Sequence, residues 1–248
     1  MLSNIRIVLV QTFHPGNIGQ AARAMKTMGL GDLVLVNPRR FPDAEATRLA
    51  AGATDVVDNA RVVDNMAQAV DDCVQVVGAS ARLRSLPLPH FDDPEPMAAE
   101  LIAHAQDAPV ALVFGRERSG LTNDEIRHCT HQVSIPANPD YGVLNLAQAV
   151  QILAYEARRA WRHHQASPAS PQTPPSLPTR DQMAHFETHL HEALVTSGFL
   201  TQPHARTEDH LRALFARAQP SRKELSILRG VLSTLEQAGS PGHGKESR

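Results

Sequence analysis

Cysteine is nearly absent. Cys73 and Cys129 stand alone in apolar or helical surroundings and share no C-x-x-C spacing, so neither a zinc site nor a disulfide framework is expected. Two buried thiols are the reading that remains. No run approaches the roughly 18 apolar residues that a membrane-crossing helix needs. The opening MLSNIRIVLVQ passes from one Arg into a strand-like segment without an A-x-A cleavage signal, so a cytoplasmic chain with no membrane partner is expected. Net charge is also lacking: 24 Lys and Arg against 26 Asp and Glu leave a formal −2, which gives no global attraction to nucleic acid. Such a partner would have to be held by a local basic patch. No repeat with a period of 20–50 residues occurs.

What is present describes an ordinary globular chain of 248 residues, 42% hydrophobic and 20% charged, enough for one large domain or a medium domain with a smaller one. Composition shifts at 165–180, QASPASPQTPPSLPTR, which holds five of the eighteen prolines. Prolines at that density suit neither a helix interior nor a sheet centre, so the segment reads as an extended linker. The expected units are a domain over 1–164, the linker 165–180, a helical extension over 181–238 and a small, polar tail over 239–248.

Within 1–164, short β-branched runs alternate with helical stretches. Residues 5–10, 32–36, 73–77, 110–114 and 132–135 read as strands, several too apolar throughout to have a wet face. Residues 18–28, 43–51, 65–72, 95–106, 123–130 and 144–163 read as helices. The fold class is α/β with a mainly parallel sheet. Residues 181–237 contain no strand-like run, and Leu211, Leu214, Phe215 and Ala218, then Leu225, Leu228, Leu232 and Leu235, repeat near 3.6, so this unit is all helical. Ser221 and Glu224 form an S-x-x-E capping box that starts a helix after Pro220.

Four strand-end loops carry the candidate chemistry. In 13–29, Gly16 and Gly19 allow close backbone approach; Asn17 reads as a cap or pre-helix residue, and Arg23 as either a site arginine or a solvated charge. In 114–125 the G-x-x-x-x-G-L-T pattern resembles a phosphate loop, but Leu121 stands where a nucleoside triphosphatase needs lysine, and that reading is rejected. Thr122 and Glu125 make a capping box there, while Arg116, Glu117 and Arg118 are either an internal ion pair or site residues at the sheet's carboxyl edge. In 134–150, Asn145 falls at the start of a long helix. In 77–87 small residues precede Arg82 and Arg84, leaving room for an adenosine-sized ligand and charge for an anion. By themselves these loops point to a ligand site without naming the ligand.

Three ordered stretches narrow the choice. NIGQAARAM (17–25), VFGRERSGLTNDE (113–125) and IPANPDYGVLNLAQAVQILAYEARRAW (135–161) resemble the signature motifs of the SpoU/TrmH class of knotted RNA ribose 2′-O-methyltransferases, the SPOUT fold. The opening 5–30, the AGATDVV segment at 51–57 and ELSILRGVLSTLE at 224–236 resemble its TrmJ subgroup, which methylates the ribose of cytidine or uridine at nucleotide 32 of the tRNA anticodon loop. The resemblance implies an S-adenosylmethionine-dependent homodimer with a trefoil knot, acting on tRNA; the residues themselves lead to no expected metal. Carried onto this sequence, it implies a catalytic set of Arg23, Asn17, Glu117 and Asn145. It implies a cofactor set of Ala79, Ser80, Ala81, Gly115, Ile135, Leu144, Asn145 and Leu146. One departure is that Gly142 and Val143 precede Leu144-Asn145 where members carry a serine, so no hydroxyl is available there.

For RNA contact, 1–165 is not broadly basic, whereas 206–229 carries six Lys and Arg against three Asp and Glu. Beside a methyltransferase, Arg212, Arg217, Arg222 and Lys223 are expected to meet the RNA backbone, with Arg82, Arg84, Arg116 and Arg118 extending the track. His185 and His189, four apart with no third ligand, read as solvated. The rival functions are the same chemistry on ribosomal RNA, a catalytically silent RNA binder, and a nucleotide-binding regulator.

Overall fold

The computed structural model describes residues 1–80, 86–166, 176–200 and 205–239. Their strands are β1 (Ile5–Val10), β2 (Asp32–Val36), β3 (Arg61–Val63), β4 (Gln75–Ala79), β5 (His90–Phe91), β6 (Val110–Phe114) and β7 (His131–Val133). The helices are α1 (Pro15–Thr27), α2 (Ala44–Ala50), α3 (Thr54–Asp58), α4 (Met66–Val70), α5 (Pro94–His104), α6 (Asn123–Ile126) and α7 (Leu146–Ala166), then α8 (Arg180–Thr196), α9 (Ala205–Ala218) and α10 (Arg222–Gly239).

The seven strands make one sheet in the order β3-β2-β1-β6-β4-β7-β5, parallel at every pairing. The α/β reading therefore holds, with β1, β2 and β6 where the apolar runs placed them. β4 begins two residues later than expected, and β3 and β5 were not legible. They are edge strands of three and two residues, too short to carry a period.

Both sheet faces are covered, which is why the central strands lack polar alternation. Along β1, Ile5, Ile7 and Leu9 face the core under α1, α5 and α7, while Val8 and Val10 face a second core with Met66, Val70 and Ile126. Arg6 interrupts this strand. It is 6% exposed, and its guanidinium spans Asp72, Asp32 and the Ala69 carbonyl, so the buried charge is fully partnered. α1 packs so closely on α2 that a Cβ at Gly19 would lie 2.1 Å from the Ala46 carbonyl oxygen.

α8, α9 and α10 enclose a third small core of Met183, Phe186 and Leu225, with the Phe186 and Phe215 rings edge-to-face at 4.8 Å. The Ser221/Glu224 box starts α10 as expected. Leu214 and Leu235, members of the expected apolar stripes, are instead 47% and 61% exposed, because a three-helix unit buries only one stripe of each helix. This unit docks on the sheet's lower edge: Arg180 N–H donates to the Cys73 carbonyl (2.8 Å), Arg127 pairs with Asp209 (3.1 Å) and Gln219 reaches Glu100 (3.0 Å). Both cysteines are buried, and burial pushes each thiol up to about 12.

Candidate active site

The signature loops leave the carboxyl ends of β1, β4, β6 and β7, which are neighbours in the sheet, and so they meet. α1 begins at Pro15, three residues before the expected start. Asn17 is therefore not the cap but lies inside the first turn, 8% exposed. The amides ahead of that turn need acceptors, and His14 supplies no side-chain cap. Glu117 supplies them from the loop after β6: its carboxylate accepts from Phe13 N–H (3.0 Å), His14 N–H (3.1 Å) and the Asn17 amide (2.9 Å). Asn17 in turn accepts from the Asn145 amide at 3.0 Å. A carboxylate only accepts, so the Asn17 nitrogen must face Glu117 and its oxygen Asn145. Asn145 is also the cap of α7, its Oδ1 receiving Ala147 N–H at 2.8 Å. The helix-start reading and the site reading of Asn145 thus describe the same residue.

Burial raises the Glu117 pKa, but donation from Asn17, His14 and Phe13 outweighs it and holds the carboxyl below its ordinary value. Glu117 is thus a fixed anion at neutral pH, its Oε1 taking all three donors and its Oε2 sharing only Phe13 N–H. Arg23 lies exposed two turns along α1, and among the described residues its guanidinium has no hydrogen-bond or ion-pair partner. It opens into a groove of about 670 Å³ between α1 and α7, shared with Gln20, Thr27, Leu144, Gln148 and Gln151.

Of the remaining expected cofactor residues, Ala79, Ser80 and Ile135 follow β4 and β7 on the other side of β6, Gly115 comes just after β6, and Leu144 also lines the Arg23 groove. Ala79 pairs with Phe114 and Val133, Ser80 N–H donates to the Val133 carbonyl (3.0 Å), and Gly115 follows Phe114 directly. Ile135 and Leu144 are half-buried, and Leu146 is 6% exposed. The loop 115–121 folds back through a bridge between Arg116 and Gly120, so tightly that a Cβ at Gly115 would lie 2.1 Å from the Gly120 carbonyl carbon. Apart from Ser80, the described members of this set are small or apolar and uncharged, which fits the flat adenosyl part of the expected cofactor. Ala81, Arg82 and Arg84 lie outside the described residues.

Two of the expected RNA-contact residues have partners within the protein. Arg116 faces inward. Its guanidinium is bidentate on Glu125 (2.8 and 2.9 Å) and also donates to Gln11 (3.0 Å), so it braces the loop. Glu125 is thereby held below the usual carboxylate range despite partial burial. Arg212 pairs with Glu187 (3.0 Å) and Asp209 (3.6 Å) within the network that docks the helical unit. Arg118, Arg217 and Lys223 are exposed, and Arg222 is exposed apart from one bond to the Leu177 carbonyl. His185 sits 3.6 Å from Asp181 and His189 3.1 Å from Glu236. No cluster of three metal-ligating side chains occurs among the described residues.

Comparison with known proteins agrees with this geometry. Residues 4–155 match the model of the SpoU rRNA Methylase family, and residues 181–244 that of the tRNA methyltransferase TrmJ C-terminal domain. The tRNA (cytidine/uridine-2′-O-)-methyltransferase TrmJ of Klebsiella pneumoniae is 52% identical over 96% of this chain and 98% of its own. The crystal structure of TrmJ from Z. mobilis ZM4 is 36% identical with a TM-score of 0.78, covering 93% of this chain and 98% of that one. A probable methylase family protein from Haemophilus influenzae Rd KW20 is 45% identical with a TM-score of 0.65, covering 96% and 98%. The chain belongs to the SpoU family of methyltransferases and, within it, to the TrmJ branch.

Proposed function

We propose that this protein transfers a methyl group from S-adenosylmethionine to the ribose 2′-hydroxyl of cytidine or uridine at nucleotide 32 of tRNA. The observation that carries the reading is the bonded chain Asn145, Asn17, Glu117, which ties one residue from each of the three signature motifs into a single array beside Arg23. That the Klebsiella pneumoniae relative is a tRNA (cytidine/uridine-2′-O-)-methyltransferase supports tRNA as substrate and the 2′-oxygen as acceptor. A 2′-hydroxyl also exists only in RNA.

The bound cofactor would supply an activated methyl on a sulfonium. Ala79, Ser80, Gly115, Ile135, Leu144 and Leu146 would hold it, together with Ala81 and Asn145. The protein's task is then alignment of the hydroxyl for in-line attack. Glu117, held below its ordinary pKa and with Oε1 bound to Phe13, His14 and Asn17, is assigned to orienting Asn17 rather than to removing the proton. Asn17 and Asn145 fix the ribose. A guanidinium stays charged in proteins, so Arg23 acts by placing positive charge and donors at the oxygen rather than by removing its proton. The absence of a hydroxyl at Gly142-Val143 leaves this set intact.

The same reading makes the protein a cytoplasmic homodimer that needs no metal, with Arg118, Arg217, Arg222 and Lys223 on the RNA backbone. The interleaving of β6 and β7 between earlier strands supports a trefoil knot as part of it. The domain limits 1–164, 165–180, 181–238 and 239–248 belong to it as well. The test is methyl transfer from labelled S-adenosylmethionine to unmodified tRNA transcripts, mapped by resistance to alkaline cleavage. One protected ribose at nucleotide 32 is expected. Transfer to ribosomal RNA alone, or no transfer with cofactor binding retained, would overturn it.

A further inference from the structure

We propose that Phe13 and Arg39 form a stacking platform for a nucleobase of the RNA substrate, on the flank of the site opposite the cofactor loops. The proposal rests on the RNA-methyltransferase reading above and adds to it the element that holds the base. β1 and β2 leave the sheet in the same unusual way. Gln11 (φ 47°) and Asn37 (φ 44°) adopt the left-handed conformation that non-glycine residues avoid, while their amides extend the ladder to the Val36 and Val63 carbonyls at 2.8 and 2.9 Å. Such strain persists only where the surroundings hold it, and it gathers at functional sites.

Here both turns serve one end. They bring the two exit loops together, where Arg39 N–H donates to the Thr12 carbonyl at 3.1 Å. The Arg39 guanidinium then lies 4.3 Å above the centre of the Phe13 ring, and the His14 ring meets Phe13 edge-on at 4.8 Å. Phe13 is 47% exposed and belongs to none of the three cores, so the fold does not need its ring. Its backbone is nevertheless pinned to the site by the bond from Phe13 N–H to Glu117. An exposed, immobilised aromatic ring with an exposed guanidinium over it is the surface on which unpaired RNA bases stack.

The strand order separates this platform from the cofactor set. Ala79, Ser80 and Ile135 follow β4 and β7, on one side of β6; Phe13 and Arg39 follow β1 and β2, on the other. Glu117, after β6, stands between them. A ribose there would present its hydroxyl toward the cofactor side and its base, or the neighbouring base, toward Phe13. Stacking does not distinguish cytosine from uracil, which suits an enzyme that accepts either.

The test compares Phe13→Ala, Phe13→Leu, Phe13→Trp and Arg39→Gln in the full chain, measuring kcat, KM for tRNA, and affinity for S-adenosylmethionine. Phe13→Ala and Phe13→Leu are expected to raise KM for tRNA roughly tenfold, the order seen when a stacking ring is removed. Phe13→Trp should restore it, Arg39→Gln should give a smaller rise, and cofactor affinity should not move. Unchanged KM in Phe13→Ala, wild-type behaviour of Phe13→Leu, or a loss that appears in cofactor affinity would each overturn the platform. If the wild type methylates no tRNA, the parent reading fails separately. Direct binding of a fluorescent tRNA anticodon arm to wild type and Phe13→Ala then decides the platform by the same tenfold criterion.

Discussion

The two halves of the molecule put their polar bonds to different tasks. At the carboxyl edge of the sheet, the polar side chains bond to one another across three loops, while the cations Arg23 and Arg118 have no hydrogen-bond or ion-pair partner among the described residues. In the helical unit, Arg212 is spent on Glu187 and Asp209, and Arg127 reaches out of the sheet domain to Asp209. Counting arginines along the sequence treats these alike. The structure divides them into those that build the protein and those left over for a ligand, and the second group is the smaller.

The sharpest way to break the comparison is to destroy the edge. Gly115→Ala would drive a Cβ into the backbone of Gly120 and Leu121 at 2.1–2.2 Å, atoms that cannot swing aside. A loss of about 3 kcal/mol of stability together with abolished methyl transfer is expected, read by denaturant unfolding and single-turnover assay. Arg23→Ala should leave stability and S-adenosylmethionine affinity near wild type while lowering kcat about 100-fold or more. Undiminished turnover would remove Arg23 from the mechanism.

On the helical side, Asp209→Asn should cost about 1 kcal/mol, because its pair with Arg127 is partly open to solvent. The loss should appear as earlier release of the helical unit under limited proteolysis. Arg217→Ala and Arg212→Ala separate the two kinds of arginine directly. The first should lower the slope of log binding constant against log salt by about 1 without affecting stability, and the second should affect stability more than the slope. The smallest effect concerns acid. Glu117 and Glu125 both have folded pKa values depressed below the ordinary 4.5. Their contribution is complete above that value and is lost as the pH falls through the lower folded values. The stability gap between wild type and Glu125→Gln should therefore be constant near neutrality and close below pH 4.5.

Much of this was legible in advance. The apolar runs of β1, β2 and β6 and the boxes Thr122/Glu125 and Ser221/Glu224 depend on neighbours in the chain, and they appear where the sequence places them. Asn17, Glu117 and Asn145 were found through motif resemblance, but their bonding was not, since Asn17 and Glu117 are 100 residues apart and Asn17 and Asn145 are 128 apart. The start of α1 was placed three residues late because its N-cap, His14, offers no capping side chain, and the amides ahead of the helix are held by Glu117 from another loop. Phe13 and Arg39 carried no signal at all. A single Phe and a single Arg in separate loops become a pair only when two left-handed turns bring them together.

By itself, the sequence determined the α/β class and the helical character of the C-terminal unit, because period, capping and turn chemistry act over a few residues, and it named the motif residues through family resemblance. Only the tertiary structure decided which charges remain free. Whether an arginine meets a carboxylate or a ligand depends on what other strands and helices place within about 3 Å of it, as Arg116 on Glu125 and Arg6 on Asp32 show.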